Sequence, residues 1–148
     1  MNIFRFFNIV LLGLVLTFSI QACGGDGPKP IHYGKDQCAH CRMTISDMRF
    51  GSQLVTTKGR VYNFDDVQCM VAFVKEGSVT REDVAHCYLP DYANDNKLLP
   101  AEGLFLLKSE SLKSPMRGDI AALVSEAEWE KVHEIHTGER LTWEDLWK

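Results

Sequence analysis

Apolar residues along this chain fall into runs of different rhythm, and each rhythm predicts an element. Residues 9–20, IVLLGLVLTFSI, are apolar without a break. Arg49–Thr57 and Arg60–Phe64 are instead rich in Val, Thr, Tyr and Phe around the turn pair Lys58-Gly59, which predicts two strands. Asp65 or Asp66 then offers a helix N-cap. Behind it Val67, Met70, Val71 and Val74 recur at the spacing of one helical face, which predicts a helix through Lys75 ended by Gly77. Cys69 and Phe73 fall on the opposite side, so this helix is expected to be covered from two directions. Val84–Tyr92 reads as a third strand and residues 93–100 as a loop.

The pattern then restarts. Residues 102–109, EGLFLLKS, and 118–125, GDIAALVS, predict two further strands. Ser125-Glu126-Ala127-Glu128 has the form of a capping box and opens a helix reaching about His136. A short amphipathic turn or helix led by Thr142 closes the chain. Strand–strand–helix thus occurs twice, which predicts an α+β fold made of a duplicated small unit, residues 36–92 and 93–148. The halves share the pattern and no convincing residue identity. Trp129, Trp143 and Trp147 are expected to pack the second unit.

The first apolar run is too short to cross a bilayer comfortably, which takes ~20 apolar residues. It follows Arg5 without any acid and stops at Ile20-Gln21-Ala22-Cys23, which resembles a bacterial lipobox. Residues 1–22 therefore read as a lipoprotein signal peptide. Cys23 becomes the expected lipidation site, and residues 23–35 the expected tether, with GGDGPKP flexible and then stiffened. The remainder is expected outside the cytoplasm, held to a membrane through the lipid anchor. The 148 residues carry 16 Lys and Arg against 20 Asp and Glu, a net charge of −4. With no basic block, this balance argues against nucleic acid as a partner. No acid–base pair, nucleophile triad or phosphate loop is visible, so a binding protein is expected rather than an enzyme.

With Cys23 set aside, the chemistry gathers in DQCAHCRM, Asp36 to Met43. Haem attachment of the c type needs His directly after the second cysteine; Arg42 stands there. A thiol–disulfide oxidoreductase acting through Cys38 and Cys41 would need an exposed, acidified thiol at a helix N-terminus, and RMTISDMRF does not read as a helix. Structural zinc wants four nitrogen or sulfur ligands, usually from two knuckles, and only one knuckle is present. His86-Cys87 is a conceivable partner pair. Two thiolates and the Met43 thioether are soft donors, which suit Cu(I). His40 is a further candidate ligand. Cys69 and Cys87 read as small buried hydrophobes, or as a disulfide if their Cα atoms lie within ~7 Å. His133 and His136 sit in the last turns of a helix, where a cation is favoured.

DQCAHCRMTISDMRFGSQ, followed by YNFDDVQCM, resembles the NosL family of nitrous oxide reductase accessory lipoproteins. SPMRGDIAAL, Ser114 to Leu123, is similar to the family's second motif, a methionine before an apolar strand. The likeness runs from Asp36 to about His133. It implies a fold of two homologous ββαβ units. It also implies a copper chaperone that binds Cu(I) and passes it to an ABC-type assembly machine and nitrous oxide reductase. By position, Cys41 and Met43 match the family's Cys-x-Met core, Cys38 its first cysteine and Met116 its second-half methionine. Many members carry Gly where this chain has Arg42, and Gly often follows the second-half methionine where this chain has Arg117.

Overall fold

The computed structural model describes residues 27–148. The expected signal peptide and the lipidation site Cys23 lie outside the described residues. None of the described helices is long and apolar enough to cross a membrane.

The described residues form seven strands and two α-helices. Strands β1 (Ser52–Thr56) and β2 (Val61–Phe64) make an antiparallel hairpin, with Gly59 at φ +76° in the turn. Helix α1 (Val67–Lys75) follows, capped by Asp66 and ended as Gly77 turns left-handed. Val67, Met70, Val71 and Val74 are buried, and so are Cys69 and Phe73, so the helix is enclosed on both faces as its sequence implied. β3 (Val84–Pro90) then pairs with β1 on the side away from β2. The second half repeats the order. β5 (Phe105–Lys108) pairs with β6 (Ile120–Leu123), α2 (Glu126–Ile135) follows, and β7 (Glu139–Leu141) returns to the free side of β5. The two sheets run β2-β1-β3-β4 and β6-β5-β7, so each half is ββαβ with its first strand in the middle. The mixed α+β architecture of two tandem units is therefore the one observed.

Several details depart from the sequence pattern. β4 (Leu98–Pro100) lies in the segment expected to be a loop and beyond residue 92, yet it pairs with β3 and belongs to the first sheet. β7 is only three residues, two of them exposed and charged, so no alternation announces it. Ser125 caps α2, but Glu128 accepts from the N–H of Val124 instead of reciprocating to Ser125. The reciprocal box occurs instead at Thr142 and Asp145, opening a 3-10 turn over Trp143–Trp147. The expected tether docks earlier than residue 35. Gln53 is fully buried on β1, and its amide must find partners away from water. It takes the N–H of Lys29 at 2.8 Å and donates to the Lys29 carbonyl at 2.9 Å, while Ile31 enters the core.

One apolar core serves both units. It contains Leu54, Phe64 and Met70 from the first, and Leu106, Ile120 and Trp143 from the second. The sheets also meet directly. Asp91, just past β3, forms a parallel bridge with Ala122 of β6, and the Tyr92 N–H donates to the Ala122 carbonyl at 2.9 Å.

Candidate metal centre

The segment Gln37–Thr44 is a tight hairpin closed by a bridge between its end residues. The Cys38 N–H donates to the Met43 carbonyl at 2.8 Å, and the Arg42 N–H to the Cys38 carbonyl at 3.1 Å. Arg42 turns the chain at φ +66°, in the left-handed region where a side chain costs about 1–2 kcal/mol. Glycine carries no such cost, which accounts for the glycine expected at this position from the resemblance. Arg117 has φ +60° and fits the same explanation.

Two contacts fix the hairpin on the scaffold. The Ala39 N–H donates to the Asn63 carbonyl at 2.9 Å, so the loop hangs on β2, an edge strand whose outer side is open. Asn63 in turn donates from its amide to Asp36 at 3.1 Å, just before the loop. The His32 backbone N–H, followed by the His32 ring and Asn63, holds the Asp36 carboxyl below its ordinary value. β2 leads through Asp65 and Asp66 into α1, so Cys69, in its first turn, arrives beside the hairpin.

The result is a cluster that the spacing alone did not disclose. The sulfurs of Cys38, Cys41 and Cys69 lie within 4.8 Å of one another, and all three are free thiols. With metal–sulfur bonds of about 2.3 Å, one ion can reach all three after small side-chain rotations. Cys38 is 0% exposed and Cys69 2%, whereas Cys41 is half-buried and opens the cluster to solvent.

The three thiols are not equivalent. A hydrogen bond from the Cys69 thiol stabilises the Cys38 thiolate, as do backbone groups of Asp65, Cys41 and His40, and they lower its pKa to about 4 despite burial. Donating that bond, and burial, push Cys69 strongly up. Burial, first of all, also raises Cys41. Negative charge is thus favoured on the buried Cys38 sulfur over its two neighbours, and a metal would deprotonate the thiols on binding.

The other residues singled out in the sequence are placed as follows. Met43 is 53% exposed on the hairpin. Met116, contributed by the second unit, is half-buried and packs against the core that contains Cys38 and Cys69. His40 turns its Nε2 to Glu76 at 3.1 Å, at the far end of α1, and its buried Nδ1 has no hydrogen-bond partner. Among the described residues no histidine or carboxylate joins the three thiols at their mutual distance. Cys87 lies elsewhere, buried on β3 beside Trp143 and Trp147, where burial pushes its thiol up to about 12. The conceivable Cys69–Cys87 disulfide is absent, both thiols being free.

Asp66 is the residue whose part the sequence disclosed least. It is 1% exposed and its Oδ1 accepts the Gln68 N–H at 2.9 Å, an ordinary N-cap bond. Its Oδ2 accepts three further donors from the second unit: the Ser114 hydroxyl at 2.5 Å, the Met116 N–H at 3.1 Å and the Gly118 N–H at 3.2 Å.

Comparison with known proteins bears on the family and the fold. The family model NosL matches residues 30–148. Among solved structures, the crystal structure of the copper chaperone NosL from Shewanella denitrificans matches with a TM-score of 0.65 and 18% sequence identity, covering 80% of this chain and 96% of that one. At that identity the likeness carries the fold. No curated protein matches the sequence. With the family model spanning all but the first residues, the chain belongs to the NosL family.

Proposed function

We propose that this protein is a lipid-anchored copper chaperone acting outside the cytoplasm. Its cargo is Cu(I), held by Cys38, Cys41 and Cys69, with Met116 and Met43 as thioether ligands. Cys23 carries the lipid. The recipient is the ABC-type assembly machinery for nitrous oxide reductase, or for a related cuproenzyme. One observation carries the reading: three soft donors converge on one point, two buried and one reachable from solvent. Such a set prefers Cu(I) to hard cations, and its open side allows a partner's sulfur to attack. Transfer is then ligand exchange without catalysis. The incoming ligand displaces Cys41 first, and the buried sulfurs release the ion last.

The thiol–disulfide oxidoreductase fits less well. That chemistry needs its acidified thiol at the surface; here the acidified sulfur, Cys38, is the buried one, and the accessible Cys41 is raised. Structural zinc would find no fourth cysteine, histidine or carboxylate beside the thiols among the described residues.

The test is an anaerobic titration of the reduced full-length chain in detergent with Cu(I) against a competing chelator. One tight equivalent, lost in Cys41→Ser and Cys38→Ser, is expected. Failure to compete with the chelator while all thiols are shown to be reduced would remove the chaperone.

A further inference from the structure

We infer that Asp66 is a positioning residue for copper: it clamps the loop bearing Met116 onto the helix bearing Cys69, and so sets the thioether against the thiols. The inference rests on the copper reading above and adds to it a residue that supplies no ligand atom.

A helix cap needs one side-chain oxygen. The first oxygen of Asp66 does that, and the second is given over to a segment 48–52 residues further on. Around it the loop is tied to itself. The Asp119 N–H donates to the Ser114 hydroxyl oxygen at 2.7 Å, and the Ser114 N–H donates to Asp119 Oδ1 at 2.8 Å. Met116 lies between these knots, its own N–H fixed on Asp66.

The loop does not hold this shape by local preference. Lys113, Arg117 and Asp119 have φ of +51°, +60° and +54°, left-handed at three non-glycine residues within seven. Such conformations persist only where surrounding contacts over-determine them, and they gather at ligand clamps. Gly118 shows how close the approach is. A Cβ there would lie 2.4 Å from Asp66 Oδ1 and 2.9 Å from the Gln68 Cβ, too near for either to remain in place. Glycine is required at this point for the contact, since its own φ is not left-handed.

The clamp has no counterpart in the first unit. There the topologically equivalent connection, between β1 and β2, is a short turn across Thr57–Arg60, bonded within itself and, through the Thr57 N–H, to the Asp83 carbonyl of its own unit. Only the second unit's connection, residues 109–119, is long enough to reach the neighbouring helix. The one side chain it sets down there that could bind a soft metal is Met116.

The test is a double-mutant cycle on Cu(I) affinity, measured by chelator competition on the full-length chain in detergent. Asp66→Ser keeps a capping hydroxyl but is too short to serve the loop. It is expected to weaken Cu(I) binding about tenfold to a hundredfold, the usual loss when a ligand's support is removed. Met116→Leu is expected to weaken it by the same factor, and the double variant by no more than either alone. X-ray absorption should count one sulfur fewer at copper in each. Gly118→Ala, which keeps the Asp66 carboxylate but drives the loop off it by crowding, provides an independent variant should Asp66→Ser fold poorly, and the same loss is expected.

An Asp66→Ser effect that is undiminished in the Met116→Leu background would overturn the inference, because the residue would then act without the thioether. So would native sulfur counts in both Asp66→Ser and Gly118→Ala. If Met116→Leu binds copper normally while Cys41→Ser does not, the clamp fails and the chaperone stands. If Cys38→Ser and Cys41→Ser both bind normally, the chaperone itself fails.

Discussion

The two units share a topology and differ in nearly everything that topology leaves free. In the first, the helix is enclosed on both faces and starts at a carboxylate cap. In the second, α2 buries only Val132 and starts at a serine whose bonds stay local. The first unit's central strand is almost wholly buried and its outer edge carries the Cys38–Met43 hairpin. The second unit has no thiol among its described residues; its elaboration is the long β5–β6 connection with Met116. The first half thus builds the cluster beside an enclosed helix, and the second, whose helix is shallowly buried, adds the loop held on Asp66.

The largest expected effect comes from the cluster itself. Cys38→Ser should lower Cu(I) affinity by well over a hundredfold, beyond what losing a supporting residue costs, as measured by chelator competition. A change confined to tenfold would show that the floor of the site is elsewhere.

Next is the contrast between the helices. Met70→Ala removes a fully buried side chain from α1 and should cost about 3 kcal/mol. Val132→Ala in α2 should cost about 1.5 kcal/mol, the transfer of two methyl groups. Denaturant unfolding of both variants checks the order. Equal losses would erase the distinction between an enclosed and a shallowly buried helix.

A pH dependence follows from Cys38. Its thiol is held at about 4, below the ordinary 9.0, first by the Cys69 hydrogen bond. The folded state therefore gains from the thiolate above the ordinary value. That gain declines as pH falls from there and is gone below about 4. Cys41 and Cys69, both raised, oppose this gain only near and above the ordinary 9.0, where their unfolded thiols ionise and the folded ones do not; further down they add no slope. Thiolate ultraviolet absorbance of the metal-free protein should show one anionic sulfur at neutral pH. Cys38→Ser should abolish it.

The smallest effect concerns the two arginines. Arg42→Gly relieves a left-handed side chain and should stabilise by about 1 kcal/mol or less, the relief being partly offset by glycine's greater unfolded-state entropy. Arg117→Gly should gain less, because Arg117 also pairs with the buried Asp119 at 3.4 Å. Thermal unfolding of the pair of variants tests this.

Much of the fold was legible because its signals are local. Val, Thr, Tyr and Phe around the Lys58-Gly59 turn marked β1 and β2, the apolar stripe and Gly77 bounded α1, and the restart after residue 100 exposed the repeat. β4 and β7 were not legible, since a three-residue strand on a sheet's margin has too few positions for a period and too little burial to bias its composition. The site divides in the same way. Cys38 and Cys41 stand out by spacing. Cys69 does not, because a buried thiol in an apolar helix satisfies the core as well as a metal site. Its one available hint was its place in the first turn behind Asp65-Asp66, on the segment VQCM that carries the family likeness. Asp66 reads as a cap and is one; its bonds to Ser114, Met116 and Gly118 span about fifty residues and leave no periodic trace.

The bridge between Asp91 and Ala122 has a mechanical consequence. That seam and a common core join the two sheets by backbone hydrogen bonding as well as by packing. On the copper reading, a jaw-like closing of the halves would have to break that seam. The smaller movement that leaves it intact, on the copper reading, is rotation of the Cys41 and Met116 side chains. On that reading the protein resembles a socket more than a clasp, and a recipient's sulfur meets the ion at the rim formed by Cys41.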